Sequence, residues 1–386
     1  MIILIFCLFI LFFMNYSIEK NIFHPANLVT LSWFFVVVCY FNFQGELYGL
    51  SNSTLHLIFL WVVLFSVGSI LFSRIKIRLS HTFDTFTNKK YNWCFCLAIS
   101  LSVSLIFALI DKGGGLNLDL ILTLREMQEE NMGVATILLY LNAFSFVFFS
   151  YSLLKSSQIK LWKIIVLFVL IFIITILKTN KTGIIQLFSI FFFIIYKKNV
   201  LNLKNISFIV LPLLLILLIF TFLRDSDSSG DLDISRYLAI YLLSPLTAFD
   251  LLVNNQVYIQ INSFGSGVFA FFYNVMSFLG VDFERSFYTQ WVYVPYPTNV
   301  FTSIANFYCD FGIIGVMIGS FLYGGFFGLV FKYQKKGSLF YTLFYSLSIY
   351  ILLFQFFADM FFMYFSTVLQ YLLASLIISK IFSRKG

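Results

Sequence analysis

WCFCLAISLSVSLIFALI, residues 93–110, runs eighteen residues without a charged side chain. At about 1.5 Å of rise per residue, a helix of that length crosses nearly all of the roughly 30 Å of hydrocarbon in a bilayer. Comparable blocks fill the chain on either side: 2–16, 28–43, 55–72, 133–154, 161–177, 182–196, 206–223, 304–331, 339–357 and 360–382. Backbone N–H and C=O groups find no partner in lipid, so such blocks must be helices; a membrane barrel would show shorter strands of alternating polarity. The expected fold class is an all-α polytopic integral membrane protein with about eleven transmembrane helices.

Composition agrees with that expectation. Of the 386 residues 60% are hydrophobic, 21% aromatic and only 11% charged, against roughly 25% charged in a soluble domain. No water-soluble fold of this length hides so much apolar surface, so residues 1–386 read as a single polytopic membrane domain. The net charge of +8 does not imply a nucleic-acid partner, because Lys and Arg sit in short loops between apolar blocks and form no basic stripe. The five cysteines lack zinc-site or disulfide spacing and read as small packing residues. The first block lacks a basic leader and a small-residue cleavage site after Tyr16, so it reads as a retained helix.

Basic residues set the orientation. Eighteen of the 25 Lys and Arg fall in one set of loops: Lys20; Arg74, Lys76, Arg78, Lys89, Lys90; Lys155, Lys160, Lys163; Lys197, Lys198, Lys204; Lys332, Lys335, Lys336; and Lys380, Arg384, Lys385. These belong in the cytoplasm. The N-terminus is then outside and the C-terminus cytoplasmic. The alternate loops hold Lys112, Arg125, Lys178, Lys181, Arg224, Arg236 and Arg285, together with most of the acids.

Two outer segments are long. Residues 111–132 begin with Gly113-Gly114-Gly115 and continue as LNLDLILTLREMQEEN, where Leu120, Leu124 and Met127 recur at helical spacing, as in an interfacial helix. Residues 224–303 form the largest polar region. Within it 237–252 and 264–279 are apolar enough to enter the membrane as re-entrant or interfacial helices, with Pro245 and Asp250 breaking the first. The glycines of GIIGVMIGSFLYGGFFG, such as Gly315 and Gly319, lie at the small-xxx-small spacing of closely packed helices.

Seven cations on the outer side oppose the topology rule, and an anionic ligand explains their retention. Arg125, Lys178, Lys181, Arg224, Arg236 and Arg285 suit a lipid diphosphate, since guanidinium forks onto phosphate oxygens and ammonium adds point charge. The bland alternative is that each anchors a helix end or pairs with an acid, as Arg224 could with Asp225. Lys112 needs no specific role. Asp225, Asp250, Asp310 and Glu126 are the candidate bases for activating a hydroxyl at the membrane surface. Asp310 stands before Phe311 and Gly312 where a span starts, either paired, facing water, or acting as a helix N-terminal charge. His24, His56 and His81 have no second histidine at ligand spacing, and no P-loop or dinucleotide fingerprint occurs in a sensible context; no metal site and no cofactor is expected.

RYLAIYLLSPLTAFD at 236–250 and PTNVFTSIANFYCDFGIIGVMIG at 297–319 resemble the Wzy-type O-antigen polymerases, or oligosaccharide repeat unit polymerases. The large outer loop in the C-terminal third and the Phe/Ile-rich composition extend the likeness to the whole chain. The resemblance implies a metal-independent, inverting glycosyltransferase in the bacterial cytoplasmic membrane. It would move a growing glycan from undecaprenyl diphosphate onto a new lipid-linked repeat unit on the periplasmic face. Its expected partners are undecaprenyl-diphosphate-linked oligosaccharides, the lipid bilayer and a chain-length regulator protein. Arg236, Asp310, Thr298 and Asn299 come into consideration as members of the matching stretches. The RX10G loop pattern of some members is missing: eleven residues after Arg125, Arg224 and Arg236 stand Thr136, Ser235 and Thr247.

A lipid-linked oligosaccharide flippase is the runner-up, but it would show two related halves and would not need so large an outer loop. An O-antigen ligase is less favoured, because related ligases rely on a histidine in that loop and 224–303 contains none.

Overall fold

The computed structural model describes residues 1–43, 45–76, 82–115, 120, 123–124, 134–178, 181–199, 242–257, 264–281 and 291–385. The span expected over 206–223 lies outside them. Among the described residues seven helices are long and apolar enough to cross a membrane: Ile2–Glu19, Pro25–Asn42, Asn52–Arg74, Asn88–Lys112, Ala135–Leu154, Ser303–Lys335 and Phe365–Phe382. The protein is an all-α polytopic membrane protein. It divides into two compact units, the first made of Met1–Ile77, Gly230–Lys332 and Ile351–Ser366, the second of Arg78–Ser229, Tyr333–Tyr350 and Thr367–Gly386.

In the first unit α1 (Ile2–Glu19), α2 (Pro25–Asn42) and α3 (Asn52–Arg74) pack on one another. Pro25 opens α2, where its missing N–H costs nothing, and Ser51 Oγ accepts the Thr54 N–H to cap α3. Asn15 of α1 donates to Thr30 of α2 and Ser66 of α3, both at 3.1 Å. Such bonds join membrane helices where apolar contact gives no preference over lipid.

The second unit holds α4 (Asn88–Lys112), α5 (Val134–Leu141), α6 (Ala143–Leu154), α7 (Leu161–Leu177) and α8 (Lys181–Lys197). Strand β1 (Thr82–Asp84) pairs antiparallel with β4 (Ser383–Lys385). Leu120 and Leu124 of the first outer segment are buried against Leu105 and Leu109 of α4 and Ile174 and Leu177 of α7. Their apolar face therefore meets protein. Lysines gather at one end of this unit: Lys90 reaches the Ile381 carbonyl (2.8 Å), Lys163 reaches Asn92 (2.6 Å), Lys197 reaches Gln334 (2.8 Å) and Lys198 reaches Ser156 (2.5 Å).

From residue 244 onward the helices are shorter or more broken than the apolar blocks. Within the region 224–303, α9 (Ser244–Val253) and α10 (Ala270–Phe278) have ten and nine residues, about half of a bilayer's hydrocarbon thickness. Pro245 sits in the opening turn of the first, where proline is tolerated, and residues 237–241 before it lie outside the described residues; Asp250 lies inside the helix and does not break it. Next, α11 (Ser303–Lys335) is not one straight span, because Gly312 adopts φ 62°, ψ −151°, a conformation open to glycine alone. Its first segment, 303–311, folds back so that the Phe307 carbonyl and ring lie against Gly315 and Gly319. Those two glycines thus make room for their own chain. Close contact between different helices falls instead to Gly324 and Gly328, against the Phe65 and Ser69 carbonyls of α3, and to Gly68 against the Phe321 carbonyl. Finally, α12 (Leu339–Leu353) stops four residues early and α13 (Phe365–Phe382) starts five residues late relative to the apolar blocks. The intervening 354–364 is a turn-rich connection, although its phenylalanines make it read as span.

Candidate active site

Three carboxylates of the first unit organise its polar connections. On α9, Ser244, Thr247 and Asp250 recur every three residues and so share one face. Each binds a different element. Ser244 donates to Thr298 of β3 (Pro297–Thr298), which pairs with β2 (Val292–Tyr293). Thr247 lies 3.4 Å from the Tyr40 hydroxyl of α2. Asp250 accepts from the Ser51 N–H and hydroxyl, both at 2.7 Å, and from Asn254 at 2.9 Å. That carboxylate fastens α9 to the start of α3.

Asp310 accepts from the backbone N–H groups of Gly267 (3.0 Å) and Val268 (2.7 Å), in the turn that leads into α10. It lies near the end of the 303–311 segment, two residues before the break at Gly312. There it also holds the turn that leads into α10. Phe264 and Phe269 of that turn pack on Phe311.

The third carboxylate, Asp359, is not among the acids that the sequence reading singles out. It is 1% exposed in the 354–364 connection. Its Oδ1 accepts from the N–H groups of Phe361 (3.1 Å) and Phe362 (2.9 Å), and its Oδ2 from Asn306 Nδ2 (3.1 Å). Burial pushes its pKa up to about 6, against the pull of the Phe362, Asn306 and Phe361 donors. A second link joins the same two stretches: the Ser303 N–H donates to the Gln355 carbonyl at 2.9 Å, and Gln355 Oε1 accepts from Trp61 at 3.0 Å. Aromatic rings seal the place, with Phe362 edge-on to Phe307 and Phe361 tilted on Tyr323.

Beside these paired groups stand buried ones without partners. Thr302 Oγ1, Ser303 Oγ and Gln355 Nε2 make no hydrogen bond, though their residues are 1%, 0% and 1% exposed. Each such group costs about 1–3 kcal/mol when left dry.

Of the cations proposed for an anionic ligand, Lys178 is described. It caps the end of α7 half-buried, and burial lowers its pKa. Lys181 begins α8, its side chain outside the described residues. Arg125, Arg224, Arg236, Arg285, Glu126 and Asp225 lie outside them as well. Thr298 is buried, bonded to Ser244 and to the Val300 N–H, while Asn299 is half-buried. Among the described residues no three His, Cys, Asp or Glu come together as a metal site.

A family model described as "Putative O-antigen polymerase" matches residues 1–355. The chain belongs to that family. No curated protein and no solved structure matches it. As an O-antigen polymerase it is a multi-pass membrane protein of polysaccharide biosynthesis, with a glycosyltransferase-like polymerising activity. The two stretches that carry the resemblance are joined in this polymerase by the bond from Ser244 to Thr298. The second stretch also supplies Asn306, the partner of Asp359. The sequence does hold a signal for Asp359: an acid inside FQFFADMFFMYF, 354–365, where a charge is costly unless paired or functional. The partner Asn306 lies 53 positions away, so only the fold reveals the pair.

Proposed function

We propose that this O-antigen polymerase transfers a growing glycan from undecaprenyl diphosphate to the non-reducing end of a lipid-linked repeat unit, on the periplasmic face of the bacterial cytoplasmic membrane. Family membership over residues 1–355 is the observation that carries this reading. The gathering of lysines at one end of the second unit supports an orientation with that end in the cytoplasm. Arg125, Lys178, Lys181, Arg224, Arg236 and Arg285 then bind the two diphosphates and stabilise the one that leaves. Thr298 and Asn299 belong to the substrate-contacting stretch, and the chemistry needs no metal. A single displacement inverts the anomeric carbon. Asp225, Asp250 and Asp310 are the sequence's candidates for the acid that takes the acceptor proton. Asp250 also fastens α9 to the start of α3, and Asp310 holds the turn before α10.

The test is a gel of surface lipopolysaccharide from a strain lacking the gene, beside its parent and the complemented strain. Core bearing one repeat unit, with the long ladder gone, is the expected pattern, because export and ligation still work. Bare core without any repeat unit would sink the polymerase reading in favour of a flippase or ligase.

A further inference from the structure

The start of α11 and the connection 354–364 meet in a seam that holds more buried polar groups than it pairs. Thr302 Oγ1, Ser303 Oγ and Gln355 Nε2 are the unpartnered ones. A hydroxyl can donate and accept, and an amide nitrogen donates, so the three offer the mixed pattern that sugar hydroxyls require. The carboxylate of Asp359 belongs to the same seam through Asn306. Its Oδ1 is filled by two N–H donors, whereas its Oδ2 accepts from Asn306 alone and keeps a lone pair. The aromatic rings of Phe307, Tyr323 and Phe362 around it supply apolar faces of the kind that stack on sugar rings.

We propose that this seam is the acceptor subsite, in which Thr302, Ser303 and Gln355 hydrogen-bond the terminal sugar of the incoming repeat unit and Asp359 takes the proton from its attacking hydroxyl. The proposal rests on the polymerase reading above. In the step, the acceptor oxygen forms a bond to the donor's anomeric carbon as the bond from that carbon to the diphosphate oxygen breaks. The bonding pair leaves with the diphosphate, and the acceptor's proton passes to Asp359 Oδ2. Entry of a sugar requires the aromatic connection 354–364 to part from Phe307 and Tyr323. A carboxyl with a pKa of about 6 is ionised, and so ready to accept, at neutral pH. Tyr364, the titratable group that senses Asp359, is raised by burial and by that charge, so it stays protonated in this range.

The experiment measures chain extension by the purified full-length protein in lipid nanodiscs, with undecaprenyl-diphosphate-linked repeat unit as donor and acceptor. Asp359→Asn should lower kcat at least about 100-fold while melting no lower than wild type, since the amide oxygen keeps the Phe361 and Phe362 N–H donors and the amide nitrogen can donate to Asn306 once that side chain turns its oxygen inward. Asp359→Glu should retain part of the rate, and the wild-type rate should rise with pH and level off above about 6. Ser303→Ala with Thr302→Val should raise KM for the acceptor more than it lowers kcat. Extension by Asp359→Asn within threefold of wild type would overturn the proposal. So would a loss of rate accompanied by an equal loss of melting temperature in both Asp359 variants. A folded wild type that extends nothing would remove the polymerase reading itself, a result separable from failure of the seam.

Discussion

Asp250 and Asp359 are two buried carboxylates of one unit with almost the same immediate coordination. In each, one oxygen accepts two donors and the other accepts a side-chain amide: Ser51 N–H, Ser51 hydroxyl and Asn254 for Asp250, and Phe361 N–H, Phe362 N–H and Asn306 for Asp359. Their surroundings differ. Ser244 and Thr247, on the Asp250 face, have partners, and the whole face serves to join α9 to α2, α3 and β3. Around Asp359 three buried polar groups are left over. A satisfied polar network fixes architecture, while an unsatisfied one costs stability without an architectural return, and the proposal assigns that cost here to a ligand. Counting the donors on a carboxylate does not separate the two.

That contrast breaks most easily at Asp250. Asp250→Ala removes three hydrogen bonds from a buried charge and leaves the Ser51 N–H without an acceptor. The expected cost is about 4 kcal/mol, read as a large fall in melting temperature in detergent or nanodiscs. A variant as stable as wild type would show that α9 is held by other means.

Asp359→Asn should shift stability the other way. The folded protein raises this pKa from 3.8 to about 6, so it binds the proton more tightly than the unfolded chain does. The resulting stabilisation is complete below pH 3.8 and is lost as pH rises through about 6. At pH 7 the ionised carboxylate costs at most about 3 kcal/mol, which the amide avoids. Melting curves across pH 4 to 7 should therefore diverge, with the variant gaining on wild type as pH rises. Parallel curves would mean that Asp359 is not a strained acid.

Smaller effects follow at the other two polar links. Asp310→Ala deprives the Gly267 and Val268 N–H groups of their acceptor at a cost of about 2 kcal/mol. Faster hydrogen exchange confined to 264–269 should report it, and unchanged exchange there would remove the tether from the account. Ser244→Ala breaks a bond of 3.4 Å, long enough to be weak, and should cost less than about 1 kcal/mol. A large fall in melting temperature would place Ser244 among the structural anchors beside Asp250.

Several features are legible in the order of the residues alone. The apolar blocks announce helices, and the described blocks contain them, because lipid leaves the backbone no other solution. Leu120 and Leu124 announce a common face and share one. The connection 354–364 misleads, since phenylalanine scores as membrane-spanning wherever it lies, and here it packs around a turn set by Asp359 and its two N–H donors. The broken α11 misleads for a related reason. Gly312 looks like one more packing glycine, and only its positive φ shows that the chain turns there.

The sequence by itself determined the membrane class, the helical blocks, the charge asymmetry and, through its match over 1–355, the family. Each of these depends on composition or on neighbours along the chain. The tertiary structure decided which acid is fastened to the scaffold and which lies in a seam with polar groups to spare. The partners involved, Ser51 with Asp250, Gly267 with Asp310 and Asn306 with Asp359, are 199, 43 and 53 positions apart. A carboxylate's role follows from what surrounds it in space, and at those separations a single sequence carries no record of it.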